Sequence, residues 1–386
     1  ISITSNTGKG LVQAALPNTV DNSKTGYVNN GIVNIGGGKS DSIGIRVNHG
    51  SIENNNLVKI NNGIGLYGSN GSKILNNTAG KIEITSPTDY GIGIAGFLSG
   101  ATAQNYGTDK TISSLTGTLP TSVKTIDITN NGKIKISGKA VGIYANNTSS
   151  IPNFDKHVTK ENAVVNNNAS LSFGNDSIGI FSKKATINLT GTGTNDISVG
   201  ERGIGVYAKD SSINFKSDYG FQIKDNGRGI YAEDTDTSSG NMKLNYIGRA
   251  SSRGIGMYFT GTSAMRNRLN LDVENISGST KGMIGIYASA APFTNEGNIK
   301  IKNTNTSGFG IVSDNSDITN KGNILLEDSL DSKNPNIAVY MTGTNIFKNL
   351  GSIKVGKNSI GVYTKDFING DVSNPNSTIE VGENGI

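Results

Sequence analysis

The chain has 386 residues, a formal net charge of +5, 34% hydrophobic residues, 52 glycines and neither cysteine nor tryptophan. Without cysteine, disulfides, thiolate catalysis and Cys-based zinc or iron–sulfur sites are excluded. The modest charge, with acids interleaved among bases, gives no clustered basic face of the kind nucleic-acid binding requires.

From the N-terminal end, Ile1-Ser2-Ile3 already alternates apolar with polar residues, and a Gly-Ile-Gly-Ile-Tyr phrase then runs the length of the chain. It reads Ser42-Ile43-Gly44-Ile45, Gly63-Ile64-Gly65-Leu66-Tyr67, Gly91-Ile92-Gly93-Ile94, Val141-Gly142-Ile143-Tyr144, Ile178-Gly179-Ile180-Phe181 and Ile204-Gly205-Val206-Tyr207. It continues as Gly229-Ile230-Tyr231, Ile255-Gly256-Met257-Tyr258, Ile284-Gly285-Ile286-Tyr287, Phe309-Gly310-Ile311, Ile337-Ala338-Val339-Tyr340 and Ile360-Gly361-Val362-Tyr363, with Gly385-Ile386 opening one more copy. Between central positions the steps are 21, 28, 49, 37, 26, 24, 27, 29, 25, 28 and 23 residues. A period of this size marks a solenoid or propeller.

Two further phrases recur within each period, and both alternate at the strand period of two. One follows Asn and Gly, as in Asn131-Gly132-Lys133-Ile134-Lys135-Ile136 and Glu296-Gly297-Asn298-Ile299-Lys300-Ile301; the other is shorter, as in Ala185-Thr186-Ile187-Asn188-Leu189 and Phe367-Ile368-Asn369. Three short strands per turn, with corners rich in Asn, Gly, Asp and Ser, predict an all-β fold. The expected form is a right-handed parallel β-helix (solenoid) of about 12–13 rungs, its handedness following the preference of parallel crossovers. A propeller blade wants four antiparallel strands and tryptophan cues that are absent here. A narrow core explains the low apolar fraction, and the persistent periodicity excludes disorder.

The two long steps predict insertions at 97–124 and 148–162, leaving one corner after the same strand of adjacent rungs. Residues 1–386 are otherwise read as a single segment of a longer solenoid, with any signal peptide elsewhere. No apolar run is long enough to span a membrane as a helix.

Signals for catalysis and metals are mostly negative. His49 and His157 lie far apart and read as loop histidines, and Gly36-Gly37-Gly38-Lys39-Ser40 has Val33 where a phosphate loop needs its first glycine. Calcium-roll nonapeptides and a Gly-Asp-Ser-Gly nucleophile context are missing. No catalytic residue, metal or cofactor is predicted. A polysaccharide lyase or hydrolase is the enzyme alternative, for which pairs such as Glu233 and Asp234 at a polar corner give little support.

The residue after each central glycine is apolar and is expected to face inward. By strict alternation the glycine and the next residue face outward, so Tyr67, Tyr144, Phe181, Tyr207, Tyr231, Tyr258, Tyr287, Tyr340 and Tyr363 should form an outer ladder. Tyr207, Tyr231, Tyr258 and Tyr287 are candidate binding residues, able to stack sugars or anchor proteins, or simply to stack on one another. Six of seven arginines, Arg202, Arg228, Arg249, Arg253, Arg266 and Arg268, fall within a few rungs. They form a candidate carboxylate-binding cluster or an ion-pair network with neighbouring acids. Arg202 and Arg253 share an offset from their glycines and are expected on one line. Arg228 takes a position that other copies fill with apolar residues, and a bulge or corner is expected to let it out.

The Gly-Ile-Gly-Ile-Tyr phrase, the Asn-x-Gly-x-Ile-x-Ile strands, the Asn-rich corners and the lack of cysteine resemble the passengers of the large fusobacterial type V autotransporters, the RadD-like adhesins. The resemblance covers essentially the whole chain. It implies a stalk exported through a C-terminal outer-membrane barrel outside this segment and displayed on the cell surface. It further implies coaggregation or host attachment through protein or glycan receptors. A passive stalk that presents a distal binding domain is the alternative. No family binding residue transfers to a position here.

Overall fold

The computed structural model describes residues 2–3, 9–12, 26–36, 42–48, 50–85, 90–98, 117–149, 156–248, 252–275, 281–302, 307–329 and 332–386. The fold is all-β, with parallel sheets in a β-solenoid of about 12 turns. The chain divides into two compact units, Ile1–Thr190 with Ala208–Ser212 and Gly191–Tyr207 with Ile213–Ile386.

In the first unit each turn supplies one strand to each of three faces. Val33–Ile35, Leu57–Ile60, Lys81–Thr85, Lys133–Ser137 and Leu171–Phe173 stack in parallel as the first face. Ile43–Asn48, Gly63–Ser69, Gly91–Phe97, Ala140–Asn146 and Ile178–Lys183 carry the Gly-Ile-Gly phrase and form the repeat face. The third face runs from Gly26–Asn29 through Ser51–Asn54, Ser72–Asn76, Ile126–Asn130 and Ala163–Asn167 to Thr186–Leu189. The second unit repeats this plan. Its first face runs from Ile197–Val199 to Thr378–Val381, its repeat face includes Arg228–Glu233 to Ser359–Tyr363, and its third face is a five-stranded sheet from Met265–Asn267 to Asp366–Asn369.

Alternation places one residue in two inside, and the inner ones are the isoleucines and their equivalents: Ile45, Val58, Ile60, Leu66, Ile82, Ile94, Ile128, Ile143, Ile230, Val273 and Ile286 are all fully buried. Each isoleucine lies on its equivalent one turn away, as Ile82 does on Val58 and Ile134. The core is thus a column whose cross-section is set by one short strand per face.

The core is not wholly apolar. Asn54, Asn76, Asn130 and Asn167 are fully buried at the ends of third-face strands and lie in register. The Nδ2 of Asn29 donates to Asn54 Oδ1 at 2.7 Å, Asn54 to Asn76 at 2.8 Å, Asn76 to Asn130 at 2.7 Å and Asn130 to Asn167 at 2.8 Å. In the second unit Asn267, Asn295, Asn320, Asn349 and Asn369 form a second ladder, with steps of 2.9, 2.9, 3.0 and 2.9 Å. The other Nδ2 hydrogen of Asn295, Asn320 and Asn349 reaches the carbonyl two residues on, at Gly297, Gly322 and Gly351. Each of these amides therefore accepts from the turn before and donates both to the turn after and to its own turn, which satisfies a buried polar group that is otherwise costly.

The Asn-x-Gly phrase follows from this packing. A Cβ on Gly322 would stand 2.0 Å from the Gly297 carbonyl oxygen, and one on Gly351 would stand 2.1 Å from that of Gly322. The asparagine draws its turn so close to the next that only glycine fits.

The central glycines of the repeat face overturn one expectation. A Cβ on Gly65 would lie 2.7 Å from Ile60 Cδ1, and one on Gly205 would lie 2.8 Å from Phe221 Cε1, both inside the core. These glycines face inward, not outward. The strand bends there: Ile64 pairs with Ile92 and Leu66 with Ile94, while the glycines between them drop out of the ladder. Glycine and the following apolar residue both lie inside, so alternation slips by one. The residue before the glycine consequently faces out.

Candidate binding surface

The bend gives the repeat face two outer columns. One holds the pre-glycine residues: Ile43, Ile92, Val141 and Ile178 in the first unit, and Ile204, Arg228, Ile255, Ile284 and Phe309 in the second, all half-buried. The other holds the aromatic rings.

In the first unit the Arg46 guanidinium lies 5.1 Å over Tyr67, Tyr67 stacks on Phe97 at 5.4 Å, Phe97 on Tyr144 at 4.9 Å, and Tyr144 on Phe181 at 4.7 Å. Phe97 was not a predicted member. It stands two residues beyond Ala95, and its ring fills the space that Ala95 leaves between Tyr67 and Tyr144. In the second unit Tyr207, Tyr231, Tyr258 and Tyr287 stack at 5.0, 4.8 and 5.0 Å with interplanar angles of 12°, 13° and 5°. Val312 follows Tyr287 in register, and beyond it Tyr340 stacks on Tyr363 at 5.1 Å.

Rings this close cover one another's faces. An interior ring has no free π surface to offer a sugar, and only edges and hydroxyls point outward. The Tyr207 hydroxyl is itself engaged, donating to Glu233 Oε2 at 2.6 Å. Burial raises Tyr144, opposed by a hydrogen bond to Asn146, and burial with the nearby Asp314 and Tyr258 raises Tyr287, so both hydroxyls keep their protons at neutral pH. Each stacked pair contributes about 0.5–1.5 kcal/mol beyond area burial.

The arginines do not converge. Arg228 occupies the outward pre-glycine position in register with Ile255, so no bulge or corner is required to let it out, which corrects that expectation. Its guanidinium lies 5.9 Å from the Tyr231 ring centre and 5.5 Å from that of Tyr258, and its Nε is buried without a hydrogen-bond partner. An unsatisfied buried donor costs about 1–3 kcal/mol and an exposed cation–π contact returns about 0.5–1. Arg228→Ile, which completes the apolar column, is therefore expected to raise stability by up to about 1 kcal/mol, read from the urea midpoint; a loss of stability would show that the cation–π contact dominates.

Arg202 and Arg253 share an offset from their glycines but not an environment, so their guanidinium groups make no joint site. Arg202 sits at φ +57° with a 55% exposed side chain, 4.0 Å from Glu201. Arg253 turns inward: it donates to Gly282 O at 2.8 Å, to Ser307 O and to Ser307 Oγ, and lies 4.4 Å over the Phe309 ring. Burial lowers its pKa to about 10, with Tyr246 opposing. Arg266 and Arg268 belong to the third face, where Arg268 pairs with Glu296 at 3.2 Å and Asp236 at 3.6 Å, and Arg266 is exposed. Arg249 lies outside the described residues. The linear cluster is thus dispersed among a turn, two faces and a half-buried strut.

The ends of the two insertions meet, although 99–116 and 150–155 lie outside the described residues, as does His49. Leu119 N donates to His157 O at 2.6 Å, and His157 Nδ1 lies 2.9 Å from the Gly117 carbonyl and donates to it. Asn162 Nδ2 reaches Pro120 O and Val123 O at 2.9 and 2.7 Å, while Lys124 Nζ reaches Glu161 O at 2.8 Å. Buried Leu119 and Val158 pack there. Among the described residues no group of three or more His, Cys, Asp or Glu side chains is placed to hold a metal. No family model, no curated protein and no solved structure matches the chain.

Proposed function

We propose that this chain is a segment of a surface-displayed autotransporter adhesin passenger, which attaches to other bacteria or host cells by binding protein or glycan receptors. The observation that supports this reading most directly is the contrast between the rungs and their departures. Turn after turn, the solenoid satisfies its own amides, rings and apolar columns. The insertions, by contrast, leave the frame after adjacent repeat-face strands and are tied together at their returning ends. Loops held on a rigid frame are where recognition usually resides.

A second reading, a passive stalk, draws support from the covered ring faces of the ladder. Binding of purified chain to partner bacteria and epithelial cells separates the two. Short Gly-Ser linkers in place of 99–116 and 150–155 are expected to abolish attachment. Tyr207, Tyr231 and Tyr258 changed together to Ser are expected to lower the melting temperature while leaving attachment of the folded protein intact. Attachment that survives the linker replacement and vanishes with the tyrosines would reverse this assignment, and no attachment at all would favour the stalk. Turnover of any polysaccharide would revive the enzyme alternative.

A further inference from the structure

Beside the tied insertion ends, Thr148, Lys160, Lys183, Lys184, Lys209 and Asp210 line a hollow of about 430 Å³, within the range of about 300–1,000 Å³ in which small ligands bind. Four cations face one carboxylate, and the repeat does not require them there. Two residues past the ladder position, turns place Asn48, Ser69, Phe97, Asn146, Thr260, Ser289 or Thr342, with single charges at Glu233, Asp314 and Lys365, yet consecutive turns place the like charges Lys183 and Lys209. Like charges brought together in this way destabilise a sheet.

Lys184 is the stronger departure. Three residues past the ladder position the backbone is left-handed, and Asn70, Asp210, Asp234 and Asn315 hold φ values of +55°, +49°, +47° and +59°. These residue types tolerate that region well; lysine and alanine do not, yet Lys184 stands there at φ +53° and Ala290 at +75°. The strain at Ala290 brings no polar group, whereas that at Lys184 places an ammonium at the hollow. Lys160 is delivered from the other side by the short turn Lys160–Asn162, whose first carbonyl is fixed by Thr186 Oγ1 at 3.1 Å.

We infer that this hollow binds a sulfated or carboxylated sugar. Ammonium groups on flexible stems suit dispersed anionic oxygens. Asp210 and the Thr148 hydroxyl decide between a sugar and an acidic peptide: the carboxylate accepts hydrogen bonds from sugar hydroxyls, whereas it repels Asp and Glu side chains. The inference rests on the attachment reading only for its biological setting.

Calorimetry of the full chain with a heparin-derived hexasaccharide, its fully desulfated counterpart and oligoglutamate tests the assignment. The sulfated sugar is expected to bind, more weakly as salt rises, and the desulfated one to bind at least about tenfold less tightly, a change of about 1.4 kcal/mol. Lys183→Gln with Lys209→Gln is expected to weaken the sulfated sugar about tenfold or more without lowering the melting temperature. Lys184→Asn is expected to weaken binding while raising the melting temperature, a split that a purely structural lysine would not produce. Undiminished binding by the folded double variant, equal binding of oligoglutamate, or no binding of the sulfated sugar would each overturn the proposal. Sugar binding by a chain that attaches to no cell sinks the adhesion reading alone; cell attachment that the hexasaccharide fails to compete sinks the hollow's role alone.

Discussion

Asn130→Ala is expected to destabilise the first unit by about 3–5 kcal/mol, since each buried polar group left unpaired costs about 1–3 kcal/mol and the missing amide leaves a void. The groups affected are Asn76 Nδ2, which now donates to Asn130, and Asn167 Oδ1, which now accepts from it. Both belong to fully buried residues. Asn131→Ala is the matched control. Asn131 stands one residue further on and outside, where its Oδ1 accepts from Asn168 Nδ2 at 2.9 Å in an exposed pair, and its loss is expected to fall within about 0.5 kcal/mol. Because repeat arrays depart from two-state unfolding, the measurement that discriminates is hydrogen exchange at the Ile74, Ile128 and Val165 amides, taken with the urea midpoint. Equal effects of the two substitutions would mean that the inner ladder contributes no more than a surface pair.

Gly322→Ala has a comparable expected effect for a different reason. The new methyl carbon would stand 2.0 Å from a backbone carbonyl oxygen, that of Gly297. A flexible side chain could move aside, but here two turns of the solenoid would have to part, taking the Asn295 and Asn320 amides with them. Overpacking costs about 1–3 kcal/mol where a core can adjust and more where it cannot, so a loss of about 3 kcal/mol or more is expected for the second unit. Gly343 supplies the contrast. It sits at φ +89° with nothing nearer than 3.7 Å to an added Cβ, so Gly343→Ala carries only a conformational cost of about 1 kcal/mol, and Gly343→Asn less. Thermal melts of the three variants check the ranking; Gly343→Ala equal to Gly322→Ala would show that turn conformation rather than space governs both.

The strands, their parallel stacking and their three phrases per turn were legible because apolar alternation survives in every copy. The inward isoleucines and the outer tyrosines were legible for the same reason. The glycines were misread because alternation was carried through them unbroken, and a strand that bends at glycine does not alternate there. That one slip also hid the outer apolar column and made Arg228 look misplaced.

The arginine cluster shows a second limit. In a solenoid, residues close in sequence are sent to different faces within a few positions, so a linear cluster such as Arg253, Arg266 and Arg268 is no guide to a spatial one. The converse holds for Lys160 and Lys209, which are far apart in sequence and line one hollow. The asparagine ladders escaped the sequence because asparagine is normally a corner residue. Their signal lay in a fixed position: Asn closes the third strand at Asn54, Asn76, Asn130, Asn295, Asn320 and Asn349.

Those ladders also answer a question that strand alternation leaves open. A strand sliding by two residues against its neighbour keeps every apolar side chain on the inner face, so hydrophobic burial alone does not detect the error. Asn295 slid by two would meet Ile318 in place of Asn320 and leave its amide stranded in a dry column. Each asparagine therefore works as a reading-frame mark: a turn in frame pairs its amide with that of the neighbouring turn, and one out of frame leaves both amides buried and unpaired.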